Sequence, residues 1–158
     1  MEEIATRLLD VCRSRGIMTV TAESCTGGMV SAALTAIPGS SDVVDRGFVT
    51  YSYAAKTAHL NVSTGTLAEH GAVSEPVARQ MAVGAIKNSD AQLSIAITGV
   101  AGPGASEAKP EGLVWFGLSF EGRTLTEKRE FGAIGRENVR MRSVETALAL
   151  ALQLVDAP

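Results

Sequence analysis

Apolar residues recur at helical spacing near the start of the chain. Ile4, Leu8, Leu9 and Cys12 share one face, which predicts an amphipathic helix from Glu2 to about Arg15, closed by Gly16. Ile17 to Thr21 predicts a short buried strand, and Met29 to Ile37 a second helix stopped by Pro38 and Gly39. Phe48 to Tyr51 predicts another strand, followed by a short helix over Ala54 to Leu60. Between Asn61 and Gly71 the pattern weakens to one turn of helix near Leu67. Ser74-Glu75-Pro76 then has the form of a helix start, a capping serine followed by an acid and a proline in the first turn. That helix runs through Val77, Met81 and Ile86 to about Asn88. Leu93 to Thr98 predicts a third strand, ended by the irregular stretch GVAGPGASEAKPEG. Leu113 to Phe120 and Thr124 to Phe131 predict an antiparallel hairpin around Glu121-Gly122-Arg123. Arg136 to Leu154 predicts a long final helix with Val139, Val144, Leu148 and Leu152 on one side.

Early alternation of strand and helix, with a late hairpin, specifies an α/β protein. The expected form is a single three-layer α/β/α domain over residues 1–158, with a mostly parallel, mixed sheet that includes the C-terminal hairpin. The composition suits this, since 46% hydrophobic residues exclude a disordered chain. A net charge of -3 and an aromatic content of 4% argue against nucleic acid as a partner. Two cysteines are too few for a disulfide scaffold. The opening MEEIATRLLD is acidic where a signal peptide is basic, and no apolar run is long enough to cross a bilayer. The expectation is a cytoplasmic protein without membrane contact.

In open α/β sheets, ligands bind beyond the carboxyl ends of the strands. Three stretches fall there: Glu23 to Gly28, Tyr51 to Lys56, and Thr98 to Gly104. The first places Ser24, Cys25 and Thr26 ahead of Gly27, Gly28 and a helix, a setting where backbone N–H groups can hold an anion or oxyanion. Ser24 or Thr26 could equally serve as a plain helix cap. As nucleophiles Ser24 and Cys25 compete, and no Cys/His pairing is visible. His59 and His70 lack a third ligand at metal-like spacing, so surface or core roles are expected for them and no metal site. Lys56 becomes the candidate base, provided burial or positive neighbours depress its pKa to roughly 7–8. The loop around Gly102 could cradle a phosphate or ribose, and Arg136, Arg140 and Arg142 stand where a phosphate could be clamped.

At these residues a family becomes visible. AESCTGG at Ala22 to Gly28, PGSS at Pro38 to Ser41, RGFVTYS at Arg46 to Ser52, HGAVSEPVA at His70 to Ala78, TGVAGPG at Thr98 to Gly104 and the pair Lys109-Pro110 resemble the CinA C-terminal domain family, in the same order and nearly end to end. The resemblance implies an α/β/α fold and hydrolysis of the carboxamide of nicotinamide mononucleotide by a serine–lysine pair, with no metal or cofactor. It makes Ser24, Lys56 and Tyr51 the catalytic residues, with substrate-binding roles for Thr26, Gly27, Gly28, Gly102 and Arg140. A homodimer is the expected assembly, from family behaviour and from Met29 as an exposed apolar residue. The chain departs from the family's common pattern at Tyr53, where asparagine is usual, and at Glu111, in a loop that often reads KPVG. The rival reading, from another class, is a nucleotide-binding sensor that uses the same loops without turnover.

Overall fold

The computed structural model describes residues 1–157. Helix α1 (Glu2–Arg15) ends at Gly16, whose φ of 66° closes it; the amides of Gly16 and Ile17 return to the carbonyls of Arg13 and Cys12. Because Ile17 is spent on this cap, strand β1 (Thr19–Glu23) begins two residues later than the apolar run predicts. Helix α2 (Met29–Thr35) and a 3-10 turn at Ser40–Asp42 lead to β2 (Val44–Val49). That strand also lies earlier than expected. It sits at a sheet edge with Asp45, Arg46 and Gly47 in its middle, so no apolar run marks it. Helix α3 (Tyr53–Leu60) precedes α4 (Thr64–His70), which is two turns where one was expected. Helix α5 (Glu75–Lys87), strands β3 (Leu93–Gly99), β4 (Leu113–Phe120) and β5 (Arg123–Glu130), and helix α6 (Arg136–Asp156) complete the chain.

The five strands form one sheet in the order β2-β1-β3-β4-β5. β1 runs parallel to β2 and β3, and β4 is antiparallel to both its neighbours. Four strands therefore point one way and β4 the other, the mixed sheet expected. Helices α1, α2 and α6 cover one face, and α3, α4 and α5 the other. The two-residue period of β3 divides it between the layers. Leu93, Ile95 and Ile97 enter the core under α1 and α6, while Ala96 joins the core under α5 and the Ser94 hydroxyl donates to the Ala82 carbonyl. All five residues of β1 are buried, as a strand covered on both faces requires. Met29 is half-buried and packs against the core, so it is less exposed than the sequence suggests. No helix among the described residues is long and apolar enough to cross a membrane.

The α5 layer is packed through small residues. A Cβ on Gly117 would stand 2.3 Å from the Ala78 carbonyl oxygen, and one on Gly84 only 1.7 Å from that of Leu60. Gly84 lets α5 press on the end of the helix that carries Lys56. In a free helix, Gly→Ala gains about 1 kcal/mol. Here backbone must move instead, so Gly84→Ala is expected to destabilise by about 2 kcal/mol or more in urea unfolding. A stabilised variant would contradict this packing.

Candidate active site

The carboxyl ends of β2, β1 and β3 lie side by side, and the chain that leaves each one contributes to a single cleft of about 290 Å³. Ser24, Cys25, Tyr51, Lys56, Thr98, Gly102 and Arg136 all line it, together with Tyr53 and Glu107.

Ser24 follows directly on β1 and is anchored by its amide, which donates to the Ile97 carbonyl of β3 at 3.0 Å. The turn then reverses over Gly27 and Gly28, with φ of 57° and 106°, backbone that favours glycine. Glu23, fully buried, reaches forward to accept from the amides of Val30 at 2.9 Å and Ser31 at 3.1 Å. This carboxylate satisfies the start of α2 and fixes where the turn begins and ends. The Gly27 amide is taken by the Ser24 carbonyl at 3.0 Å. Among the described residues, the amides of Cys25, Thr26 and Gly28 donate to no protein acceptor.

Lys56 arrives from the other side of the sheet. Ser52 caps α3 by accepting from the Ala55 amide at 3.0 Å, and Lys56 sits one turn into the helix, 1% exposed. Its Nζ lies 2.9 Å from Ser24 Oγ and donates to the Thr50 carbonyl at 2.8 Å. Burial drives its pKa from the ordinary 10.5 to about 8; the charge of Glu107 opposes the fall. At pH 7 about a tenth of the amine is then neutral, against roughly one part in a few thousand for free lysine. A neutral amine can donate to Thr50 and take the Ser24 hydroxyl proton on its lone pair.

Cys25 lines the same cleft, yet the structure pairs Lys56 with Ser24. Burial pushes the Cys25 thiol up to about 11, so it stays protonated at neutral pH. Tyr51 stands at the mouth, 58% exposed, and its hydroxyl accepts from Arg136 Nη2 at 2.8 Å while Arg136 Nη1 donates to the Gly102 carbonyl at 2.5 Å.

The remaining expected residues are placed differently from the dyad. Thr26 is fully buried and its hydroxyl has no partner. Gly27 and Gly28 lie under Arg140 and Val49. Arg140 donates to the carbonyls of Cys25 at 3.1 Å and Thr26 at 3.4 Å, so it braces the turn from behind. Arg142 lies over the Phe131 ring, outside the cleft. Arg136 is the arginine that reaches the cleft. His59 and His70 are exposed outside it. Glu111 accepts from the Gly104 amide at 2.8 Å and shapes the loop. Thr98, which opens the third candidate stretch, lines the cleft from the end of β3, and its hydroxyl donates to the Ala72 carbonyl at 2.9 Å. Glu107 is a cleft residue that the sequence did not single out, and the unusual length of its loop is the only signal of it.

Fold and cleft together define a three-layer α/β/α protein with a buried serine–lysine pair at the carboxyl ends of its parallel strands. The sequence profile of the CinA C-terminal domain matches residues 1–155, and the chain belongs to that family. It is 43% identical over 155 residues to the nicotinamide-nucleotide amidohydrolase PncC of Enterobacter agglomerans, covering 97% of this chain and 94% of that protein. It is 47% identical over 137 residues to the protein of the same name from Escherichia coli K12, covering 86% and 83%. Among solved structures, the competence/damage inducible protein CihA of Agrobacterium tumefaciens superposes with a TM-score of 0.94 at 47% identity, covering 99% of this chain and 95% of that one.

Burying Lys56 has a cost that depends on pH. Above 10.5 the amine is neutral in both folded and unfolded chains, and it contributes no penalty. Between 10.5 and about 8 the unfolded chain binds the proton first, so stability falls as pH falls. Below 8 both states are protonated and the penalty levels off near 3 kcal/mol. The stability of Lys56→Met relative to wild type is therefore expected to rise by about 3 kcal/mol between pH 10.5 and pH 7. A gap independent of pH in denaturant unfolding would show that Lys56 titrates normally.

Proposed function

We propose that this protein is a nicotinamide-nucleotide amidohydrolase that converts nicotinamide mononucleotide to nicotinic acid mononucleotide and ammonia through a Ser24–Lys56 pair. The observation that carries this is the 2.9 Å approach of Lys56 Nζ to Ser24 Oγ at the floor of the cleft. Support comes from the two relatives of that name, which match most of this chain.

In the reaction, the neutral amine of Lys56 takes the Ser24 proton as Ser24 Oγ bonds to the carboxamide carbon. The carbonyl oxygen becomes an oxyanion, and the amides of Cys25, Thr26 and Gly28 are the donors of the turn free to meet it. The ammonium of Lys56 returns its proton to the leaving nitrogen, the C–N bond breaks, and ammonia departs. Water then adds to the ester, with Lys56 again as base, and releases the acid and Ser24. The cationic pyridinium ring withdraws electrons from the carboxamide carbon, which makes it open to a serine nucleophile. Tyr51, as a catalytic residue, would hold the substrate at the mouth beside Arg136, whose guanidinium suits the phosphate. Gly102 presents backbone to the ligand, while Thr26, Gly27, Gly28 and Arg140 act by shaping the turn.

We place the activity in the cytoplasmic recycling of pyridine nucleotides, with residues 1–158 working as one domain. Purified protein is expected to release ammonia from nicotinamide mononucleotide. Ser24→Ala and Lys56→Met should each lower kcat by about a thousandfold or more, while Cys25→Ala should change it less than tenfold. The acid limb of kcat/KM should have its midpoint at about 8, where Lys56 loses its proton. Nucleotide binding without ammonia release would instead identify a sensor. Loss of activity in Cys25→Ala with retention in Ser24→Ala would move the nucleophile to the thiol.

A further inference from the structure

The turn Ser106–Lys109 reaches across to the α4–α5 junction through the side chains of Glu107 and Lys109. Ser106 and Lys109 pair through both backbone bonds, at 3.0 and 2.8 Å, and the two residues between them, Glu107 and Ala108, have φ of 56° and 60°. Neither is a glycine or asparagine, so both hold a conformation that side chains disfavour, and their surroundings must maintain it. What maintains it is the Glu107 carboxylate. It accepts from the Ala72 amide at 2.9 Å, from the Val73 amide at 3.1 Å and from the Tyr53 hydroxyl. Lys109 completes the joint by donating to the carbonyls of His70 at 2.6 Å and Val73 at 2.5 Å.

Two of these partners lead to the reacting groups. Tyr53 is the first residue of α3 and lies three positions before Lys56, on the same side of the helix. Ala72 accepts the Thr98 hydroxyl at the end of β3, one residue after Ile97, whose carbonyl anchors Ser24. Glu107 is also the single carboxylate among the residues that line the cleft.

We propose that Glu107 is a positioning residue for the Ser24–Lys56 pair, latching the 106–109 turn onto Tyr53 and the Ala72–Val73 amides so that the cleft wall and the first turn of α3 are held as one piece. Its partners keep it charged: burial pushes its pKa up, and the bonds from Tyr53, Val73 and Ala72, with the Lys109 ammonium 3.4 Å away, outweigh burial and hold it below the usual carboxylate value. The charge has a second consequence. The groups that act on Lys56 are Cys25, from the β1–α2 turn, and Glu107. Cys25 is a neutral thiol up to about pH 11, so near pH 8 Glu107 is the charge that Lys56 feels. By favouring the ammonium, it keeps Lys56 able to return a proton to the leaving group.

The kinetic arm of the test rests on the proposed amidohydrolase reaction; the other two arms do not. In Glu107→Gln, the 13Cε titration midpoint of Lys56 is expected to fall by several tenths of a pH unit, and amide exchange at Ala72 and Val73 to accelerate at least tenfold. KM for nicotinamide mononucleotide should rise about tenfold, with kcat changed less. Tyr53→Phe keeps the charge and removes one bond, so it should raise KM and speed exchange while leaving the Lys56 midpoint in place. An unmoved midpoint together with unchanged exchange in Glu107→Gln would overturn the latch. If both move although wild-type protein releases no ammonia, the latch stands and the proposed reaction falls.

Discussion

Most of this molecule's particular features follow from burying a lysine, 1% exposed, beside a serine. An ammonium taken out of water is unstable unless it is paired, and Lys56 has no carboxylate in contact, only the Ser24 hydroxyl and the Thr50 carbonyl. The fold accepts that instability and converts it into basicity at a usable pH. The helix carrying Lys56 must therefore be held by other means, through the Ser52 cap, the Leu60 contact with Gly84 and the link from Tyr53 to Glu107. A serine facing a normally titrating lysine would rarely lose its proton at pH 7. The same serine facing a desolvated lysine has a base about a tenth of the time.

The Ser24 side of the pair is built by different physics. Ser24 is fixed by the sheet itself, through the Ile97 carbonyl, and the two glycines after it turn the chain sharply enough to leave the next amides unspent. Glu23 and Arg140 brace that turn from either end, the carboxylate on the amides of α2 and the guanidinium on the carbonyls of Cys25 and Thr26. Arg140, which the sequence offers as a substrate ligand, spends Nε and Nη2 on these two carbonyls. Arg136, one helical turn earlier, faces the cleft.

How much of this could be read from the chain depends on the kind of signal. Helices α1 and α5 and the β4–β5 hairpin carry strong local patterns, which match their bounds to within a residue or two. The pattern displaces β2 because an edge strand needs no continuous apolar run, and β1 because Ile17 is diverted into a helix cap. Ser24 and Lys56 were legible as residues, through their positions after strands and through the family resemblance. Their pairing was not, since it spans 32 residues and two layers. Glu107 left no trace in the pattern, because its function lies in a left-handed turn that ordinary residues seldom adopt.

The most direct test of the central claim is to trap the covalent intermediate. Protein mixed with excess nicotinamide mononucleotide and quenched in acid within the first turnovers should carry the acyl group as an ester, located by peptide mass spectrometry on Ser24. An adduct located on Cys25, or on any residue other than Ser24, would contradict the account and remove Lys56 from its role as the base of a serine nucleophile.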